Sequence, residues 1–160
     1  MKIRAFVGLG ANLDDPGMQV LRAFDELARL PQTSLLARSS LWRSAPVGFA
    51  DQPEYVNAVA KLETGLGAEA LLAGLQRIEN EHGRSRSFTN APRTLDLDLL
   101  LYGDQVRSTP ELVLPHPRMH KRAFVLEPLL EVEPDAVIPG HGSARAGLAS
   151  LQGQVRERIT

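Results

Sequence analysis

Two aspartates, Asp96 and Asp98, stand on alternate positions of an otherwise apolar segment that runs from Leu95 to Leu101. Side chains of an extended strand alternate between two faces, so the leucines can enter a core while both carboxylates share the other face, about 7 Å apart. Two ionised carboxylates at that distance repel each other by roughly 2 kcal/mol at an effective dielectric constant near 20, and folded chains usually place positive charge beside them. Mg²⁺ fits this need, because it prefers oxygen ligands and leaves positions for water and substrate phosphates. A structural ion network with neighbouring arginines fits the pair equally well.

A cationic segment precedes the aspartates. Residues 83–93, with the sequence GRSRSFTNAPR, contain Arg84, Arg86 and Arg93 and are too polar and broken for a core. They therefore predict a loop that leads into the aspartate strand. Guanidinium groups bind phosphate oxygens in bidentate fashion, and Mg²⁺ bridges phosphates to carboxylates. The combination favours a polyphosphate ligand over a solvated run of charge.

The aspartate segment, residues 90–100, together with residues 83–86, resembles the central motif of the 6-hydroxymethyl-7,8-dihydropterin pyrophosphokinase family of folate biosynthesis. Other similar segments occur in the family's order: residues 6–13 (FVGLGANL), 44–48 (SAPVG), 51–58 (DQPEYVNA), 115–119 (PHPRM) and 122–124 (RAF). Together they extend over residues 3–131, and their joint specificity is high. The chain departs from the family at Thr89-Asn90-Ala91, where relatives often carry Arg-Trp before Gly-Pro-Arg and have one residue more. Ala45 and Pro117 stand where relatives often have a proline and an aromatic residue.

The resemblance implies a reaction and a set of site residues. Pyrophosphate passes from MgATP to the hydroxymethyl group of 6-hydroxymethyl-7,8-dihydropterin, AMP is released, and two Mg²⁺ ions are held by Asp96 and Asp98. The implied catalytic residues are Arg84, Arg93, Asp96 and Asp98. The implied ATP contacts are Gln76, Glu79, Arg84, Arg86, Arg93, Leu99, His116 and Arg122, and the implied pterin contacts are Ser44, Pro46, Val47, Tyr55, Asn57 and Phe124.

Several of these assignments have a plainer alternative. Tyr55 and Phe124 could be ordinary core aromatics, whereas Asn57, which shares a strand face with Tyr55, must find hydrogen-bond partners if it is buried. His116, between two prolines, could be a loop residue with a satisfied side chain. At the level of function, a nucleotidyltransferase would also use Asp-x-Asp and two metals but would attack the α-phosphate. A non-catalytic ferredoxin-like module would keep the fold without turnover.

Length and composition indicate one small enzyme domain. The 160 residues carry a formal charge of -1 and no cysteine, so we expect a single domain over residues 1–160 without disulfides or thiolate metal sites. The arginines are clustered and form no broad basic face, which argues against a nucleic-acid partner. No apolar run approaches the roughly 20 residues that span a bilayer, and the first residues lack an apolar signal region. We expect a cytoplasmic monomer whose partners are ATP and the pterin, with no membrane contact.

Local patterns predict the order of the elements. We expect a strand over residues 2–9, a turn at 10–12, a helix from Asp15-Pro16 to Pro31, a strand over 34–43, a loop over 45–53, a strand over 55–63 and a helix over 68–82. The aspartate strand follows, then a helix or turn over 123–130 cut by Pro128, and a weaker helix over 143–152. Alternating strands and helices indicate α/β or α+β. The resemblance implies α+β, a ferredoxin-like sandwich with a mainly antiparallel sheet and a cleft rimmed by loops near residues 11–15, 46–52 and 84–92.

Overall fold

The computed structural model describes residues 2–13, 15–44, 55–83 and 94–159. In chain order the elements are β1 (Ile3–Ala11), α1 (Pro16–Ala28), β2 (Thr33–Arg38), β3 (Trp42–Ser44), β4 (Tyr55–Thr64), α2 (Ala68–Glu81), β5 (Asp96–Tyr102), β6 (Arg107–Ser108) and β7 (Val113–Leu114). A 3₁₀ helix (Met119–Lys121), α3 (Ala123–Val132), β8 (Val137–Ile138), β9 (Gly142–Ser143), α4 (Ala144–Ala149) and β10 (Arg156–Arg158) complete the chain.

The main sheet is antiparallel and has the strand order β10-β3-β4-β1-β5, with β2 also paired to β4. β2 and β3 lie one after the other along the same edge of β4, because β2 pairs with residues 60–64 and β3 with residues 55–57. With α1 following β1 and α2 following β4, this arrangement confirms the predicted α+β, ferredoxin-like fold. Two small hairpins, β6-β7 and β8-β9, stand apart from the sheet.

Alternation along the strands produces two cores, one on each face of the sheet. On the first face Val7, Leu9 and Leu97 pack against α1 and α2, whose buried residues recur at helical spacing. On the second face Phe6, Val59 and Leu100 pack against α3 and the 3₁₀ helix. His82, at the end of α2, bonds to Gln19 and Glu26 of α1 and so joins the two helices of the first face.

Several element boundaries differ from the prediction. The strand expected over residues 34–43 is divided at Ser39, whose Oγ accepts the N–H of Val59 at 2.9 Å in place of a backbone carbonyl. β1 continues through the expected turn to Ala11, because Gly10 pairs with both β4 and β5. α3 runs past Pro128, which is buried inside the helix; burial there offsets the missing N–H.

The last predicted helix is shorter than expected. It covers Ala144–Ala149, and Ser143 caps it by accepting the N–H of Ala146 at 3.3 Å.

Among the helices of the four described ranges, none combines the length and hydrophobicity that a bilayer crossing requires.

Candidate active site

β5 places Asp96 and Asp98 on the second face of the sheet, the face on which Leu100 packs against α3. Across the neighbouring strand β1, Asp96 pairs with Gly10 and Asp98 pairs with Gly8. Neither glycine places a side chain beside the carboxylates, although the Leu100 side chain lies 3.4 Å from the Cβ position of Gly8. The Asp98 side chain is 49% exposed, so its oxygens can reach a ligand.

The glycine at position 10 also makes room on its other side. Asn57 of β4 pairs with Gly10, and a Cβ atom added to Gly10 would lie 3.3 Å from Asn57 Oδ1. This is closer than a comfortable van der Waals contact. A row of residues therefore crosses β5, β1 and β4 on one face, with a carboxylate at one end, an amide at the other and glycine between them.

Asn57 begins a polar wall that continues onto β3. Its Nδ2 donates to Ser44 Oγ at 2.6 Å, and both side chains are buried. Tyr55 pairs with Ser44 across the two strands and is half-buried. The structure thus brings together Ser44, Tyr55 and Asn57, and it confirms that the buried amide has a hydrogen-bond partner. Trp42, which the sequence analysis did not select, pairs with Asn57 and donates its Nε1–H to Glu131 at 2.6 Å. Its only signal in the sequence is the two-residue spacing from Ser44.

His116 lies beside the carboxylates. Its backbone N–H donates to the carbonyl of Leu100 at 2.9 Å, which holds the loop against β5, and its Nε2 is 4.0 Å from Asp98 Oδ2. His116 Nδ1 accepts the N–H of Arg118 at 3.1 Å. In the neutral ring the hydrogen therefore sits on Nε2, facing Asp98.

The pKa of His116 lies below its ordinary value. Burial is the largest cause, and the cationic Arg122 and Arg118 act in the same direction, while the carboxylate of Asp98 opposes them. We therefore treat His116 as a neutral donor near pH 7, which agrees with the bond that its Nδ1 accepts.

The beginning of α3 presents two further side chains. Arg122 is the N-cap residue, and its guanidinium lies 5.7 Å from the centroid of the Phe124 ring, within the range of a cation–π contact. Both side chains are partly exposed. A cation and an aromatic face therefore stand together at one end of α3.

The three predicted nucleotide contacts on α2 and β5 have different surroundings. Glu79 is buried, and its Oε2 accepts the N–H of Leu97 at 2.8 Å, so it holds β5 between the two aspartates. Leu99 is buried in the first core, whereas Gln76 is exposed. Their contact with a nucleotide stays a prediction. The other predicted site residues, Pro46, Val47, Arg84, Arg86 and Arg93, lie outside the described residues.

The donor set of the site fits Mg²⁺. In the described ranges no three or more histidine, aspartate or glutamate side chains form a group that could hold a metal ion. A site of two carboxylates agrees with Mg²⁺, which proteins usually bind through one or two carboxylates together with substrate phosphates and water.

Comparison with known proteins agrees with these features. A family model described as 7,8-dihydro-6-hydroxymethylpterin-pyrophosphokinase matches residues 6–134. A 2-amino-4-hydroxy-6-hydroxymethyldihydropteridine pyrophosphokinase of Pseudomonas aeruginosa is 50% identical over 136 residues, which are 85% of this chain and 84% of the relative. The enzyme of the same name from Haemophilus influenzae is 48% identical over 137 residues, 86% of each chain.

Solved structures share the fold at low sequence identity. A crystal structure of HPPK-DHPS in complex with substrates superposes with a TM-score of 0.77 at 10% identity, covering 98% of this chain and 46% of that chain. HPPK-DHPS of Plasmodium falciparum gives a TM-score of 0.74 at 12% identity, covering 94% and 42%. The chain thus spans less than half of these solved chains. The family match over most of the chain and the relatives near half identity show that this chain belongs to the 7,8-dihydro-6-hydroxymethylpterin pyrophosphokinase family.

Proposed function

We propose that the pyrophosphate transfer of this family takes place on the second face of the sheet, where Asp96, Asp98 and Asn57 lie. The reaction transfers pyrophosphate from ATP to the hydroxymethyl group of 6-hydroxymethyl-7,8-dihydropterin and leaves AMP. The chain is accordingly a diphosphotransferase of folate biosynthesis, with ATP as co-substrate.

The row of paired residues from Asp96 through Gly10 to Asn57 is the main support for this position of the active site. Neighbouring strands are about 4.8 Å apart, so the ends of the row are about 10 Å apart. A bicyclic heterocycle that pairs with Asn57 can extend its hydroxymethyl arm over the glycines toward the aspartates. The face therefore accommodates a flat ring at one end and phosphates at the other.

We further propose that Asp96 and Asp98 hold two Mg²⁺ ions together with the ATP phosphates. When bound, the ions offset phosphate charge and make the attacking hydroxyl more acidic. The carboxylates fix the position of the polyphosphate relative to the sheet, and the neutral His116 presents its Nε2–H on the same side. Positioning of this kind accounts for much of the rate enhancement in phosphoryl-type transfers.

The remaining site roles follow the family resemblance. Arg84 and Arg93 offset charge on the reacting phosphates, and Arg86 and Arg122 position the nucleotide. The resemblance also assigns Gln76, Glu79, Leu99 and His116 to the nucleotide; of these, Glu79 and Leu99 belong to the first face of the sheet. The pterin is held by Ser44, Pro46, Val47, Tyr55, Asn57 and Phe124, with Tyr55 and Phe124 on its two faces.

We also propose the wider setting of the enzyme. Residues 1–160 form a single domain that acts as a monomer in the cytoplasm, with its two small-molecule substrates as partners and without a nucleic acid or a membrane. The formal charge of -1 supports the absence of a nucleic-acid partner.

A crossed titration tests the layout. Asp98→Asn should weaken binding of Mn²⁺ with a non-hydrolysable ATP analogue, measured by electron paramagnetic resonance, and should leave binding of the pterin alone nearly unchanged. Asn57→Ala should do the reverse. If both variants weakened both ligands equally, the two ends of the row would not be separate subsites.

A further inference from the structure

The two walls around the proposed pterin position belong to different elements. Phe124 is in the first turn of α3, whereas Ser44 ends β3. A flat ring that stacks on Phe124 and hydrogen-bonds at its edge to Ser44 and Asn57 fits only when α3 and β3 keep one separation. Sheet pairing fixes Ser44, but it does not fix where α3 begins.

Gln154 fixes the beginning of α3 from the C-terminal segment. Its Oε1 accepts the N–H of Ala123 at 2.8 Å, and its Nε2 donates to the carbonyl of Lys121 at 2.9 Å. The N–H of Ala123 is one of the groups that a helix leaves without a partner in its first turn. The same side chain therefore caps α3 and holds the backbone on both sides of Arg122.

Arg156 holds the next turn of α3. Its Nε and Nη2 donate to Oε1 of Glu127 at 3.1 and 2.7 Å, while its Nη1 donates to the carbonyl of Gln154 at 2.8 Å. The two side chains are only 14% and 26% exposed, so this pair is screened less than a surface ion pair. Glu127 follows Phe124 by three residues and thus lies on the same side of the helix.

The backbone of the same segment belongs to the sheet. In β10, Arg156 pairs with Ser44 and Arg158 pairs with Trp42 of β3. β10 therefore adds one more strand to the sheet next to the polar wall. Ile159 adds a further bond from its N–H to the carbonyl of Leu41 at 2.9 Å. Residues 154–158, named here the C-terminal clasp, therefore contact α3 through side chains and β3 through the backbone.

We propose that the C-terminal clasp is a positioning element of the active site, which sets the distance between Phe124 on α3 and the polar wall of Ser44 and Asn57. The inference rests on the proposed function, because the ligand between the walls is the pterin. Gln154, Arg156 and Glu127 act as positioning residues and do not themselves contact the substrate.

A charge exchange tests the clasp. Arg156→Glu and Glu127→Arg each place like charges together and should raise the Kd of 6-hydroxymethyl-7,8-dihydropterin, measured with a non-hydrolysable ATP analogue present, by about five- to tenfold. The double variant reverses the pair and should return the Kd to within about twofold of the wild-type value. The Kd of the ATP analogue alone should change by less than about twofold in all three variants.

A second pair of variants covers the case in which a charge variant does not fold. Gln154→Leu removes the two side-chain hydrogen bonds of Gln154 to Ala123 and Lys121 and should raise the pterin Kd. Gln152→Leu changes an exposed neighbour and should leave the pterin Kd unchanged. Lower melting temperatures with an unchanged pterin Kd would show a purely structural role and overturn the proposal. If the wild-type protein bound the nucleotide analogue but no pterin, the proposed function would fail and the clasp proposal with it. Pterin binding that is intact in the wild type and in every clasp variant would overturn the clasp proposal alone.

Discussion

Asp96 and Asp98 lie opposite Gly10 and Gly8 of β1, on the face of the sheet that packs against α3. A side chain at Gly10 would crowd Asn57 Oδ1, which would lie 3.3 Å from its Cβ atom. Asp96→Asn and Asp98→Asn preserve shape and remove charge, so we expect folded proteins whose kcat is at least about a hundredfold lower, since loss of a metal ligand costs several kcal/mol of transition-state stabilisation. Steady-state assays at fixed Mg²⁺ measure the effect. Asp104→Asn, at an exposed turn after β5, is the control; equal losses in the control, or wild-type kcat in either site variant, would contradict the metal role.

Asn57 and Ser44 are expected to act as one unit. Their 2.6 Å bond orients two buried side chains toward the proposed pterin position, and removing either one leaves pterin edge groups unpaired in the complex at a cost of about 1–3 kcal/mol. Asn57→Ala and Ser44→Ala should each weaken pterin binding by that amount, and the double variant should lose clearly less than the sum. Calorimetric titration of the wild type, the two single variants and the double variant with the pterin gives the four binding free energies of this double-mutant cycle. Additive losses would show that the two residues bind the ligand independently.

His116 predicts a pH dependence of stability. Its pKa in the folded protein is lowered, chiefly by burial, so the unfolded chain binds the proton more readily. The contribution of His116 to the free energy of unfolding is therefore fully present above the ordinary histidine pKa of about 6.5. It is lost as the pH falls through the lower pKa of the folded state. Between pH 7.5 and pH 5 the melting temperature of the wild type should fall more than that of His116→Asn. Parallel pH profiles would show that His116 titrates normally.

At the scale of elements, β5 is an edge strand that depends on α2. Glu79 accepts the N–H of Leu97, midway between the two aspartates. Glu79→Ala should lower the free energy of unfolding by about 1–3 kcal/mol, because a buried N–H loses its acceptor, and Glu79→Gln should cost less. Urea denaturation gives both values. Glu81→Ala, exposed on the same helix, should stay within about 0.5 kcal/mol of the wild type; an equal loss in that control would contradict the role of the buried N–H, because alanine favours the helix.

The strand and helix patterns of the sequence predict most of the larger elements correctly, and the exceptions have local causes. Alternating leucines and aspartates place β5 and its two faces, and apolar spacing places α1 and α2. The division at Ser39 depends on a side-chain oxygen that replaces a carbonyl of the ladder, which periodicity does not encode. β10 has only three residues and no apolar alternation, so its pairing with β3 is visible in the structure alone.

At the scale of the whole molecule, sequence reasoning identifies the family and the carboxylate pair but not the arrangement between elements. Asn57 is predicted to need a partner, and the structure supplies Ser44. The row through Gly10 requires knowledge that β1 lies between β4 and β5, which depends on long-range pairing. The contact of Gln154 with α3 joins residues about thirty positions apart, and no local sequence pattern predicts such a bond.

The most direct test of the central claim is the identity of the nucleotide product. The purified protein is incubated with MgATP and 6-hydroxymethyl-7,8-dihydropterin, and the products are separated by chromatography and weighed by mass spectrometry. Attack at the β-phosphorus predicts AMP together with the pterin diphosphate, in equal amounts. ADP with a pterin monophosphate, or free pyrophosphate with AMP joined to the pterin, would contradict the assignment.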